Sequence, residues 1–212
     1  MTADVTTPHA QRQWFIVGRC QEYEGEGRAN LLRIIAILGF YSVQLVRFLG
    51  MENPTDADCT FHSAATWISM AWVALGLAIL YCLRQRVFPA SLKYFSTGGD
   101  LILLTALAAL GAKASSPLIF VYFLIIALAA LRFSLLLVWV STIGSLLGYM
   151  ALVGVMDDKW FDADHVVALH VQLITLLSLG LTGIVVGQLI RRTRSMATDF
   201  AQRMSASNEG AT

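Results

Sequence analysis

Six apolar stretches follow one another along the chain, and each is close to the length that a helix needs to cross a lipid bilayer. A transmembrane helix uses about 20 mostly apolar residues. Of the 212 residues, 57% are hydrophobic and only 14% are charged, which is too little charge to cover a soluble surface. The sequence therefore predicts an all-α, polytopic membrane protein. The six predicted spans are Leu31–Leu49, Ala64–Leu83, Tyr94–Gly111, Ser116–Leu131, Phe133–Val155 and Val166–Ile190.

The fourth and fifth stretches are separated by Arg132 alone. One helix over residues 116–155 would be about 60 Å long at 1.5 Å per residue, twice the hydrocarbon thickness of about 30 Å. Two spans joined by a tight turn at Leu131–Ser134 are therefore predicted.

Basic residues are distributed unevenly between the loops of this arrangement. Twelve of the fifteen Lys and Arg residues fall on one side, and the loops on the other side, residues 51–59 and 156–164, are acidic. Basic loops stay in the cytoplasm, so both termini are predicted to be cytoplasmic. The predicted organisation is a cytoplasmic segment over residues 1–28, a transmembrane domain over 29–190, and a short helix with a disordered tail over 191–212.

Small residues suggest how the helices pack, because helices in lipid associate through close contacts and buried polar groups. Gly144 and Gly148 form one GxxxG pair, and Gly183 and Gly187 form another. The two pairs are predicted to pack against each other within the chain or to form a dimer face. Aromatic residues are predicted to contribute to the interfacial belts; they are Trp67, Trp72, Trp139, Tyr149 and Trp160.

Asp100 lies inside an apolar stretch, seven residues after Lys93 and therefore about 10 Å inside the cytoplasmic boundary. An ionised carboxylate at this depth must be paired, neutral or in contact with water. Two arginines at the same depth are candidate partners, and two hydroxyl residues three and four positions earlier share the helix face of Asp100. The predicted polar cluster consists of Asp100, Arg132, Arg33, Ser96 and Thr97.

Three roles are open for this cluster: a structural ion pair that joins spans three and four, a signalling switch, or an ion carrier. A proton pathway usually has further acids at the membrane midplane, and these spans have none, which argues against transport.

Three histidines, His62, His165 and His170, are predicted on the outer face as ligand-binding or pH-sensing residues. His165 and His170 are five residues apart, which is not the spacing that places two metal ligands on one helix face. No metal site and no cofactor are predicted. Enzyme motifs are absent from the sequence, and a net charge of +1 gives no field that would attract nucleic acid.

The region after the last span is basic and can continue as a cytoplasmic helix. Met196, Phe200 and Met204 recur every four residues and form a narrow apolar stripe. This segment is either a basic membrane anchor or a helix that docks on a cytoplasmic partner or on a second copy of the chain.

Residues 100–139 resemble the N-terminal membrane sensor regions of bacterial histidine kinases and nucleotide cyclases with five or six spans. The residues that carry the resemblance are Asp100, Ser116, Pro117, Leu118, Tyr122, Arg132 and Phe133. In such proteins the last span continues through a helical linker into a catalytic domain, which is not seen in this sequence. The resemblance implies a bacterial inner-membrane location and a non-catalytic sensory or regulatory module that acts through a partner. The alternative is a small transporter or a cofactor-binding membrane subunit.

Overall fold

In a computed structural model of the chain, the described residues are 8–85, 91–111, 117–156 and 168–209. They form six α-helices, which confirms the all-α prediction. The helices are α1 (Pro8–Leu49), α2 (Asp56–Arg84), α3 (Leu92–Leu110), α4 (Phe120–Ala130), α5 (Leu135–Met156) and α6 (Leu169–Glu209). A single 3-10 turn, Pro117–Ile119, leads directly into α4.

Within the described residues, four helical segments are long and apolar enough to cross a membrane. Their outer faces carry large exposed apolar side chains, for example Val43 and Val46 on α1, as expected of a surface in contact with lipid. The four segments are Glu24–Leu49, Asp56–Arg84, Leu135–Val155 and Leu169–Ala197.

Helices α3 and α4 account for the other two predicted spans. α3 has 19 residues, whereas α4 has only 11 and is about 16 Å long, half the hydrocarbon thickness. α4 is apolar on every side and contacts α1, α3, α5 and α6. Its buried residues are Val121, Tyr122, Ile125, Ile126, Leu128 and Ala129. A helix enclosed by protein in this way does not need to match the bilayer thickness.

The ends of several helices follow from local sequence. Thr55 and Asp58 form a capping box at the start of α2, in which the Asp58 amide donates to Thr55 Oγ1 and the Thr55 amide donates to Asp58 Oδ2. The predicted tight turn at Leu131–Ser134 separates α4 from α5, and Phe133 adopts a positive φ of 49° there. Non-glycine residues adopt that conformation mainly in turns.

The two outermost helices are longer than the sequence analysis predicted. α1 begins at Pro8 and runs without a break through residue 28, where the predicted cytoplasmic segment was expected to end. α6 continues through residues 205–209, which were predicted to belong to a disordered tail. At 42 and 41 residues these helices are each about 60 Å long.

The two glycine pairs do not pack against each other. A Cβ on Gly148 would lie 2.8 Å from Thr105 Oγ1 of α3, and one on Gly144 would collide with Leu101 of the same helix. Gly183 on α6 instead faces Thr142 of α5. The last of the four, Gly187, faces Leu135 of α5. All four therefore serve packing inside this chain, two against α3 and two against α5, because the glycines of α5 and α6 lie on faces that do not meet.

Candidate functional site

Arg33 and Asp100 form a buried ion pair between α1 and α3. The Arg33 Nη2–Asp100 Oδ2 distance is 2.8 Å, and Arg33 Nε donates to the same oxygen at 3.0 Å. Only 2% of Arg33 and 3% of Asp100 is exposed, so both charges lie inside the protein. The arginine also donates to Asn30 Oδ1 and to Ser96 Oγ, so four of its five N–H groups have a partner. A buried pair of this kind is tolerated only when hydrogen bonds complete it.

Trp72 on α2 holds the second oxygen of the Asp100 carboxylate. Its indole Nε1 donates to Asp100 Oδ1 at 2.7 Å, and its side chain is buried. Asn30 Nδ2 donates to the carbonyl of Gly76, also on α2, at 2.9 Å. Asp100 therefore joins α1, α2 and α3 at one point. Of the five aromatic residues from which the interfacial belts were in part expected, Trp72 and Tyr149 lie in the core instead.

Arg132 forms the second buried ion pair, from the turn between α4 and α5. Its Nη2 lies 2.8 Å from Oε1 of Glu26 on α1. Its Nη1 donates to Thr97 Oγ1 at 2.7 Å and to the Lys93 carbonyl at 3.0 Å. Gly25 makes this approach feasible, since a Cβ there would come within 2.7 Å of the Leu131 carbonyl oxygen.

Ser96 connects the two ion pairs. Its Oγ accepts a hydrogen bond from Arg33 and another from Arg132, the latter at 2.9 Å. Two arginines and two carboxylates give the whole network no formal net charge. We call it the buried charge network; its members are Glu26, Asn30, Arg33, Trp72, Ser96, Thr97, Asp100 and Arg132.

The structure brings together all five residues of the predicted polar cluster, but the pairing differs from the expectation. Asp100 was expected to pair with Arg132 and so to join spans three and four, whereas it pairs with Arg33 and joins α1 to α3. The reason is the position of each partner along α3. Arg132 forms hydrogen bonds with Lys93, Ser96 and Thr97 in the first turns of α3, whereas Asp100 lies about one turn further along the helix.

Glu26, Asn30 and Trp72 were not predicted. Glu26, Asn30 and Arg33 follow the spacing i, i+4, i+7, which places them on one face of a helix. That signal was present in the sequence, but a helix was expected to begin only after residue 28. Trp72 carries no comparable signal, since an indole in an apolar stretch fits a membrane interface equally well.

The predicted histidines do not form a common site in the described part of the chain. His62 is half-buried and stacks on Phe48, with ring centroids 4.0 Å apart and an interplanar angle of 3°. His170 is exposed near the start of α6, and His165 lies outside the described residues. Among the described residues, no group of three or more His, Cys, Asp or Glu side chains could hold a metal ion.

A cavity of about 600 Å³ adjoins the buried charge network. It begins at Arg33, Trp72 and Asp100 and follows one face of α1 as far as Arg47. Apolar side chains of α3 and α4 form one part of the remaining wall, and α2 lines the cavity along its whole length, from Asp58 to Trp72. The network and the cavity together can hold a ligand beside an interaction that fixes three helices.

No family model matches the chain, and no curated protein or solved structure matches it either.

Proposed function

We propose that this chain is a non-catalytic, multi-pass protein of the bacterial inner membrane that acts as a sensory or regulatory module. In this proposal all six helices lie in the membrane region as spans, and both termini are cytoplasmic. The partner that receives the signal is a cytoplasmic protein or a second copy of the chain.

The observation that carries the proposal is the position of the turn at Leu131–Ser134. On one side, Arg132 is bonded into the buried charge network. On the other side, Arg194 of α6 donates to the carbonyl of Phe133. A shift in the network would therefore move the point to which α6 is attached.

The lengths of α1 and α6 support an output on the same side. Each helix is about 60 Å long, twice the hydrocarbon thickness. Glu26 contacts Arg132 and Arg194 contacts the next residue, so both helices continue past the same end of the bundle. In α6 the apolar stretch ends at Ile190, where Arg191 and Arg192 follow, and the helix continues to Glu209.

Site-specific photo-crosslinking in native membranes tests this function. A photoreactive amino acid replaces Met196, which is exposed six residues beyond the end of the apolar stretch of α6, and the control position is Leu173, exposed near the start of the same helix. We expect a cytoplasmic protein or a second copy to crosslink at position 196 and not at 173. Equal labelling at the two positions, or none at 196, would contradict the proposal.

A small transporter or cofactor-binding subunit is the second candidate, and the cavity favours it because it reaches a buried acid. Ser69 lines the cavity on α2 and offers a position for Ser69→Cys. Labelling of that cysteine by an impermeant thiol reagent from both sides of the membrane would support transport, whereas labelling from one side only would exclude it. An absorption spectrum and metal analysis of the purified protein decide the cofactor-binding form.

A further inference from the structure

The cavity beside the buried charge network is long and narrow. On α1 it is lined at residues 33, 37, 40, 44 and 47, which form one helix face. Fourteen residues of α-helix correspond to about 21 Å. A cavity with a volume of about 600 Å³ along such a length falls within the range of small-ligand sites.

The two ends of the cavity differ in exposure. At the end near Asp100 the apolar wall is sealed: Leu104 is 0% exposed and Ile125 is 3% exposed. The exposed part of the lining begins at Phe40, which is 48% exposed, and toward Arg47 Val43 is 70% and Leu110 53% exposed. The cavity is therefore open near Arg47 and closed at the network, and its wall between the two ends is mainly apolar.

The charges at the two ends differ as well. The charge of Arg33 at the closed end is already neutralised by Asp100. Arg47 at the open end is exposed and forms no ion pair with any residue that the structure describes. Asp58 also borders this end, but its carboxylate accepts hydrogen bonds from Thr55 in the cap of α2. An anionic group in this opening is attracted to α1, at Arg47, and repelled from the start of α2.

We propose that this cavity binds one long-chain fatty acid, with its carboxylate at Arg47 and its acyl chain along α1 toward Trp72. An arginine is well suited to a carboxylate, since its planar guanidinium can donate two parallel hydrogen bonds. An acyl chain in one leaflet spans about 15 Å, half of the hydrocarbon thickness, so one chain with its carboxylate fits a cavity of about 21 Å. The end of the chain would then lie beside the residues that join α1, α2 and α3.

This inference names a ligand for the membrane module proposed above and rests on that proposal for its physiological meaning. Its test measures lipid binding alone. Failure of binding would therefore leave the crosslinking result at position 196 unchanged, and failure of crosslinking would leave the binding result unchanged.

The test uses the full chain in phosphatidylcholine nanodiscs with palmitic acid that carries a photoreactive diazirine in its chain. We expect saturable labelling of one site per chain, on peptides of α1, α2, α3 and α4. Ala36→Phe fills the cavity and should reduce labelling about tenfold, whereas the same change at exposed Ala151 on α5 should leave it unchanged. Arg47→Gln should weaken binding about tenfold, the loss expected for one charge-assisted contact, with Arg192→Gln on exposed α6 as the control.

Competition on the unmodified chain keeps the proposal testable even where a variant fails to fold. Unlabelled palmitate should displace the probe, and its methyl ester, which has no anionic headgroup, should displace it about tenfold less well. The proposal is overturned by labelling that spreads over the exposed faces of α5 and α6, since this would be ordinary contact with surrounding lipid. Equal competition by the acid and the ester would overturn it as well.

Discussion

The buried charge network and the glycine contacts of α5 hold helices together in different ways. In the network, two ion pairs and a shared serine join α1, α3 and the turn before α5, and the hydrogen bonds of Trp72 and Asn30 add α2. At Gly144 and Gly148, α5 approaches α3 with no charge involved and with almost no space between them. Lipid removes the hydrophobic drive between helices, so close packing and polar contacts must supply the affinity. The stability of the network depends on its charged and polar side chains. The stability of the glycine contacts depends on the absence of a side chain at these two positions.

The largest effect is expected when one ion of the network loses its partner. Arg33→Met leaves the Asp100 carboxylate buried without its cation, and such a loss destabilises a protein by about 3–5 kcal/mol. The measurement is the free energy of unfolding in mixed micelles. Arg28→Met is the matched control: Arg28 lies on the same helix but pairs with Glu24 on the surface, where both side chains are more than 70% exposed, and should cost less than about 1 kcal/mol.

A second change separates the observed pairing from the alternative one. Asp100→Leu combined with Arg33→Met removes both charges and should recover much of the lost stability. Asp100→Leu combined with Arg132→Met should show no such recovery, because Arg132 is paired with Glu26. Recovery with Arg132 instead of Arg33 would refute the pairing described here.

An intermediate effect is expected at the glycine contacts. Gly148→Ala places a Cβ 2.8 Å from Thr105 Oγ1 and 3.1 Å from the Tyr122 ring, and overpacking of this kind costs about 1–3 kcal/mol. Gly180→Ala on α6 is the control, since a Cβ there meets nothing within 4 Å and alanine favours helix. The measurement is again unfolding in mixed micelles. If both variants were equally stable, the close approach of α5 to α3 would be wrong.

The smallest effect is expected at a hydrogen bond that lies between the two regions. Thr105 Oγ1 donates to the Leu101 carbonyl, so the 2.8 Å contact with Tyr122 has the tyrosine hydroxyl as donor. Tyr122→Phe should cost about 0.6 kcal/mol, the average for such bonds in membranes. Tyr81→Phe, at a residue that is 65% exposed, provides the baseline. A cost near that of Arg33→Met would mean that the polar contacts around α4 act as one unit with the network.

The helical class and the tight turn at Leu131–Ser134 could be predicted from the sequence, because the length of an apolar stretch limits how many helices it can hold. The length of α4 could not be predicted. Apolar residues suit both lipid and a protein interior, so the composition of the stretch from Ser116 to Leu131 does not reveal that its helix is short and enclosed by the other helices. The lengths of the two long helices were underestimated because residues 8–28 and 205–209 show no regular apolar pattern.

For the candidate site, the sequence predicted which α3 residues share a face, since three- and four-residue spacing fixes that in any helix. It did not predict which arginine reaches Asp100, because that depends on how far α1 and the turn are displaced along α3. The contribution of Glu26 depended on extending α1 before residue 28, and the contribution of Trp72 depended on the position of α2. These positions are set by how the helices pack against one another, which the spacing of residues within one helix does not reveal.

The short α4 and the arginine that follows it have a consequence for biogenesis. A helix of 11 residues is too short to insert stably by itself, so we expect it to enter the bilayer together with α5 as a hairpin. The arginine in the hairpin turn meets its acid only when α1 is already present, and its serine and threonine only when α3 is. The buried charge network would then impose an order on membrane insertion. The hairpin of α4 and α5 can form its final contacts only after α1, α2 and α3 have been assembled.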